Sequence, residues 1–409
     1  MKPVSFIDED VQRCPFAAYA AVREQGPVYY DASCGYYIVT GYDEVRKWAA
    51  NTEDLSNVTG LLLSFDSKSY QKTIDEIYET HGVLPMNTLT VSDPPLHTFH
   101  RSLVDKAFTV SRVRQMEDYL QSIIDGMIDG FVEKGECDFY ADFAARVPIL
   151  VIASQLGVEL GDVDWFKECS DAVIAESNPG NTEEQQIAIT WKITELQSFI
   201  AAKIREFQES PSDCLLSDLV HAEDDGRKMS MREMVSIILI LLVAGNDSTA
   251  LTMTSCMHRL ATTPGLEDAL RADPARIPNF IEEVLRLEAP VQGLYRRALK
   301  PLTIGGTEIP EGAIVVLRFG AANRDPGQFP DPDALDPARS NARSHLAFGA
   351  GPHFCLGNQL SRGELRIAFA TLLRRIRNIR LADSDATAWM SHFLVYGPHR
   401  LNIRFEVNP

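Results

Sequence analysis

Phe348-Gly349-Ala350-Gly351-Pro352-His353-Phe354-Cys355-Leu356-Gly357 is the stretch that decides how this chain is read. Two glycines and a proline ahead of the cysteine make a tight loop, because glycine reaches backbone angles closed to other residues and proline fixes φ. Past Gly357 the sequence reads as helix to about Arg375, which sets Cys355 at a helix N-terminus. Unsatisfied N–H groups and the positive end of the helix dipole lower a thiol's pKa there and donate hydrogen bonds to the sulfur. That is the charge form a metal ligand needs. A cysteine taken alone is more often one more small buried side chain, so the rest of the chain has to decide between the two readings.

The composition sets outer bounds. The chain has 409 residues, 45% hydrophobic and 23% charged, proportions of a globular protein able to enclose a sizeable cofactor. A net charge of −18 argues against nucleic acid, since phosphate binding needs clustered Lys and Arg. Met1 to Phe16 carries acids where an export signal carries bases, and no apolar core follows. The longest apolar run, Ile237 to Ala244, falls far short of the roughly 20 residues of a bilayer span, so no membrane association is expected. Seven cysteines, an odd number without a Cys-x-x-Cys pair, suggest neither a disulfide framework nor a zinc site. A cytoplasmic location fits.

Helical spacing dominates after Pro94: Val113 to Val132, Phe139 to Leu156 and Glu183 to Phe207 each repeat apolar residues at a helical period. Strand signals are fewer, at Tyr36 to Thr40, at Leu302 to Val316 with a Gly305-Gly306 turn, and at Arg400 to Phe405. No repeat or flexible linker divides the chain. One mainly α domain over 1–409 with a small β-rich region is the expectation, two lobes the alternative.

Two further patterns carry chemistry. Glu283 and Arg286 share a face of the helix Asn279 to Leu287, where such a pair is ordinarily a solvated surface contact. The long apolar helix opens with a Ser230/Glu233 capping box and runs into Ala244-Gly245-Asn246-Asp247-Ser248-Thr249. A glycine, an acid and a hydroxyl inside an apolar helix break local propensity, as functional sites do. A helix bent at Gly245 with a back-bonding Ser248 is the structural alternative.

Together these motifs resemble the cytochrome P-450 family, whose cysteine-ligand signature is Phe-x-x-Gly-x-x-x-Cys-x-Gly. The resemblance runs from about Pro27 to the C-terminus and is densest from Ala244 to Gly357. It implies a haem-thiolate monooxygenase fold, with heme b (iron protoporphyrin IX) between a long distal helix and a proximal cysteine loop. Cys355 is then the iron ligand. Phe348, Gly349, Gly357 and Ala244 line the cofactor, and His97, Arg101, Arg296 and His353 meet its propionates. Asp247 and Ser248, followed by Thr249, fall on the acid–alcohol pair that protonates bound dioxygen beside a widened helical turn. Serine where threonine is usual keeps the hydroxyl and loses β-branching, which loosens its aim. Glu283, Arg286 and Arg339 fall on a buried structural triad. Ala322-Asn323-Arg324-Asp325-Pro326 also looks like family sequence. His100 and His345 read as ordinary satisfied histidines.

The same resemblance lines a substrate pocket with Ile240, Val243, Ala244, Val291, Gln292, Leu294, Phe393 and Leu394. Nearly all are apolar, which selects a small hydrophobic substrate such as a terpenoid, steroid or aromatic hydrocarbon. Gln292 is the polar exception, either a substrate contact or a satisfied amide. Electrons are expected from a separate ferredoxin or flavodoxin with its reductase. Arg362, Arg366, Arg374 and Arg375, with Lys106, Arg112 and Arg114, form the candidate basic patch for it in an acidic, monomeric protein. A peroxygenase using hydrogen peroxide and a non-catalytic haem sensor are the alternatives; the acid–alcohol pair weighs against both.

Overall fold

A computed structural model of the protein describes residues 3–59, 70–108, 110–158, 163–176 and 181–408. The chain divides into two compact units: Met1–Ser56, Val113–Pro148 and Asp247–Pro409 form the first, Asn57–Arg112 and Ile149–Asn246 the second.

The second unit is helical among its described residues. Glu183–Glu209 is its long strut, started by a full capping box in which Thr182 Oγ1 accepts from the Gln185 N–H and the Gln185 side chain accepts from the Thr182 N–H. Ile193, Leu196, Ile200, Ile204 and Phe207 recur at helical spacing and are buried. The helix packs on Gln71–His81 and Val163–Ala175. Leu96–Ala107, the histidine helix, carries His97 and Arg101. The apolar helix, Met231–Thr262, begins with the expected cap: the Ser230 N–H donates to Glu233 Oε2 at 2.7 Å and the Glu233 N–H to Ser230 Oγ at 3.2 Å. It is long and apolar enough to cross a bilayer by length and composition, but 61% of its most apolar window is buried in the protein.

The first unit holds the β structure. A five-stranded sheet runs in the order Val28–Asp31, Tyr36–Val39, Ile314–Leu317, Leu294–Ala298, Leu55–Ser56, with only the Tyr36–Val39/Ile314–Leu317 pair parallel. One of its faces buries Val39, Leu55, Ala298, Val315 and Leu317 against Trp48, Phe319 and Phe329. The ion-pair helix, Ile277–Leu287, and the cysteine helix, Asn358–Arg375, pack on each other, and the cysteine helix also packs on Glu117–Asp129.

The mainly α fold with small sheets is the one expected, and three elements differ in detail. The Val113–Val132 stretch breaks at Met116 into Val110–Gln115 and Glu117–Asp129. The Phe139–Leu156 stretch divides into a wide turn, Tyr140–Ala144, and the helix Arg146–Gln155, because Pro148 has no N–H for the ladder behind it. Leu302 to Val316 is a hairpin, Leu302–Ile304 with Thr307–Ile309, plus a strand belonging to the larger sheet. Pro310 and the left-handed Gly312 (φ +78°) interrupt the run.

Candidate functional site

The cysteine loop is shaped by its glycines. Gly349 and Gly351 take φ of +70° and +71°, and a Cβ on Gly351 would lie 2.5 Å from the Ala50 Cα, so this position requires glycine twice over. The Cys355 N–H donates to the Phe348 carbonyl at 2.9 Å, closing the loop, and Gly357 caps the helix that begins at Asn358. Cys355 is half-buried. Four of the other cysteines fit the structural reading better: burial pushes the thiols of Cys34 up to about 11 and Cys169 to about 12, and raises Cys137 and Cys256 as well. Among the described residues no group of three or more His, Cys, Asp or Glu side chains converges as a metal-ion site.

Glu283, Arg286 and Arg339 meet. Arg286 and Glu283 are both fully buried, with two nitrogens of the guanidinium each 2.7 Å from a carboxylate oxygen, and Arg339 Nε lies 3.0 Å from Glu283 Oε1. Arg286 also donates to the carbonyls of Asn323, Pro332 and Ala334. Asn323 in turn accepts the Leu346 N–H at 2.6 Å, so the ion pair reaches the first residues of the cysteine loop. Asn323 was legible only as family-like sequence, and Glu282, which bonds His345 and Arg362, was missed altogether. The signal for Glu282 was a second acid beside Glu283 in a short helix whose one basic residue is Arg286.

The apolar helix is α from end to end, without the widened turn that the resemblance implies. No proline interrupts its ladder. Val243, Ala244 and Gly245 are exposed in the middle of a helix otherwise largely buried, while Ile240 is half-buried. Asp247 and Ser248 follow, half-buried. Thr249 is placed apart from them in function: its hydroxyl donates to Ser361 Oγ of the cysteine helix at 3.2 Å, a tie between helices rather than a member of the acid–alcohol pair.

His97 is buried, and burial with the neighbouring Arg101 charge pushes its pKa down. Arg101 donates to Asp105 at 2.7 Å. Arg296, on the strand Leu294–Ala298, is 97% buried, and His353 is half-buried in the turn Gly351–His353. Phe348 is half-buried beneath the Arg362 guanidinium. His345 is satisfied as expected, with Nε2 2.9 Å from Glu282 and Nδ1 accepting the Ala347 N–H, whereas His100 pairs through Nε2 with Glu233 at 3.2 Å and leaves its buried Nδ1 without a hydrogen-bond partner.

Gln292 follows the second of its two readings, the satisfied amide. Its Oε1 accepts from the Tyr19 hydroxyl at 2.6 Å and its Nε2 donates to the Ala289 carbonyl at 2.6 Å, leaving the amide as an internal tie rather than a substrate contact. Val291 and Leu294 are half-buried and Leu394 buried, while Phe393 stacks on Tyr295 with ring centroids 5.8 Å apart. The basic patch is also more neutral than its sequence suggests. Arg362 binds Glu282, Arg366 binds Glu117, Arg375 binds Asp129, and Arg112 binds Asp213, while Arg374 and Arg114 are exposed.

Comparison with known proteins agrees with this geometry. The family model described as Cytochrome P450 matches residues 185–379. The 6-deoxyerythronolide B hydroxylase of Saccharopolyspora erythraea is 33% identical over 402 residues, 96% of each chain. A solved cytochrome P450 from Chondromyces apiculatus is similar with a TM-score of 0.88 at 29% identity, covering 99% of this chain and 98% of that one. Another, from Bacillus megaterium in complex with testosterone, gives 0.83 at 28% identity, covering 95% of this chain and 99% of that one.

Proposed function

This chain belongs to the cytochrome P450 family, whose members are oxidoreductase monooxygenases, and we propose that it inserts one atom of dioxygen into a small hydrophobic molecule. The observation that carries the reading is the Cys355 loop: a half-buried sulfur behind two left-handed glycines at the start of a helix. The residues present fit a haem. A single protein sulfur suits a metal whose other ligands come from a porphyrin. An added Cβ on Gly245 or Gly357 would meet nothing within 4 Å, and apolar Val243 and Ala244 are exposed on a core helix, as a flat apolar ring requires. Bound through Cys355, heme b supplies dioxygen binding and O–O cleavage, which thiolate donation favours.

In this reading His97, Arg101, Arg296 and His353 hold the propionates. Asp247 holds a proton at its carboxyl and passes it through the Ser248 hydroxyl. Phe348, Gly349, Ala244 and Gly357 pack against the ring. Ile240, Val243, Val291, Leu294, Phe393 and Leu394 supply apolar surface, worth roughly 25 cal/mol per Å² buried, which favours terpenoid, steroid or aromatic substrates over sugars. The testosterone complex of the Bacillus megaterium relative supports the steroid member of that class. Electrons come from a ferredoxin or flavodoxin, steered by the exposed remainder of the arginine patch to a cytoplasmic monomer.

Reduced protein under carbon monoxide tests the centre of the proposal. Wild type should give the strongly red-shifted Soret band of thiolate ligation, and Cys355→Ser should lose it. Folded, haem-loaded wild type without that band would overturn the reading. For the substrate, a titration panel read by the haem spin-state change should respond to steroids and terpenoids. A response confined to sugars or highly charged compounds would reverse the substrate class.

A further inference from the structure

Glu282 stands one residue before the acid of the Arg286–Arg339 ion pair, is 2% exposed, and takes no part in that pair. Its carboxylate grips the two arms of the cysteine loop instead. On the incoming arm His345 Nε2 lies 2.9 Å from Oε2. Nδ1 of the same ring accepts the Ala347 N–H at 3.1 Å, so the ring is the neutral tautomer and Nε2 is its donor. On the outgoing arm Arg362 donates from Nε to Oε1 at 2.6 Å and from Nη2 to Oε2 at 3.0 Å, a two-pronged fit. Arg343, largely exposed, is the remaining cation, 3.8 Å from Oε1.

The connection continues to the cysteine itself. Arg362 Nη1 donates to Asn358 Oδ1 at 2.8 Å, and Asn358 Nδ2 donates to the Cys355 carbonyl at 2.7 Å. The guanidinium also lies 4.3 Å from the ring centroid of Phe348, the residue whose carbonyl accepts the Cys355 N–H. Both peptide groups of Cys355 are thus fixed by residues that Arg362 touches, and Arg362 is fixed by Glu282. Burial of the Glu282 side chain and the flanking helices gives this arrangement few alternatives, since an unpaired charge there is costly.

We propose that Glu282 is the positioning residue of the cysteine loop. It ties residue 345, ahead of the cysteine, to residue 362, beyond it, and through Arg362 and Asn358 sets the rotation of the Cys355 peptide, so that the sulfur is presented in one geometry. A loop with few ladder bonds of its own drifts by more than a ligand site tolerates unless such outer partners hold it. The inference rests on Cys355 as the iron ligand.

The test uses haem-loaded Glu282→Gln, Arg362→Lys and Asn358→Ala beside wild type. Glutamine keeps the shape but loses the charge; lysine keeps the charge but loses the fork. Low-spin ferric electron paramagnetic resonance should show broadened or multiple g-values in all three. In urea below the unfolding transition, the fraction of the carbon monoxide complex lacking the red-shifted band should rise roughly tenfold in Glu282→Gln. Asn358→Ala should reproduce the spectral change with an unaltered far-UV melting curve, which a merely structural role would not do. If Glu282→Gln does not fold, the other two variants decide by the same readouts. Spectra identical to wild type in the folded variants, even with a lower melting temperature, overturn the proposal. A wild type without the red-shifted band overturns the haem-thiolate reading instead.

Discussion

Asp247 and Ser248 follow the apolar run Ile237 to Ala244 on a core helix, a choice that lowers local stability and so points to chemistry. If Asp247 passes protons, Asp247→Asn keeps the side chain's shape and removes the group that carries them. Turnover is then expected to fall about 10²-fold, the usual size of a general acid's contribution, with the substrate dissociation constant from spin-state titration unchanged. Equal turnover would remove Asp247 from the mechanism. Ser248→Ala should instead uncouple the reaction, measured as peroxide formed per electron pair consumed. Thr249→Ala should do neither, since that hydroxyl is engaged by Ser361, and should appear only as a modest loss of stability.

The ion-pair helix, Ile277–Leu287, works as one element with two acids facing different tasks. Glu283 holds Arg286 and Arg339, and with them the chain from Asn323 to Arg339, whose carbonyls Arg286 and Arg339 collect. Removing one partner of a buried pair costs about 3–5 kcal/mol, so Arg286→Met should destabilise by that amount in urea unfolding. Arg286→Lys should do little better, because a point charge cannot serve five acceptors. Glu282 has a pH signature. Burial pushes its carboxyl up, but hydrogen bonds from His345 and Arg362 and the Arg362 charge outweigh it and hold the group at about 2. A depressed acid stabilises above its unfolded pKa and loses that contribution as pH falls through the folded value. Stability linked to Glu282 should therefore drain between about pH 4.5 and 2, by about 3 kcal/mol in all. The difference between wild type and Glu282→Gln should shrink over that window; a constant difference would contradict it.

For the whole molecule, the histidines set a higher acid limit. Burial lowers the pKa of His100, His258, His345 and His392. Between the ordinary value of about 6.5 and the lowered ones the unfolded chain binds more protons than the folded one, so stability is full above about pH 6.5 and declines below it. Urea midpoints at pH 7.5 and 5.5 should differ, the lower pH being less stable, and equal midpoints would refute the reading. The amino-acid sequence by itself determined the helical character, the cysteine loop and the capped start of the apolar helix. These are local: spacing, glycine conformation and capping act within a few residues. Only the tertiary structure decided what Glu282, Gln292 and Thr249 do. Their partners, His345 and Arg362, Tyr19, and Ser361, lie far along the chain, and a polar side chain reads the same in sequence whether it meets substrate or another side chain. Buried polar atoms must find partners, and which ones they find is fixed by packing.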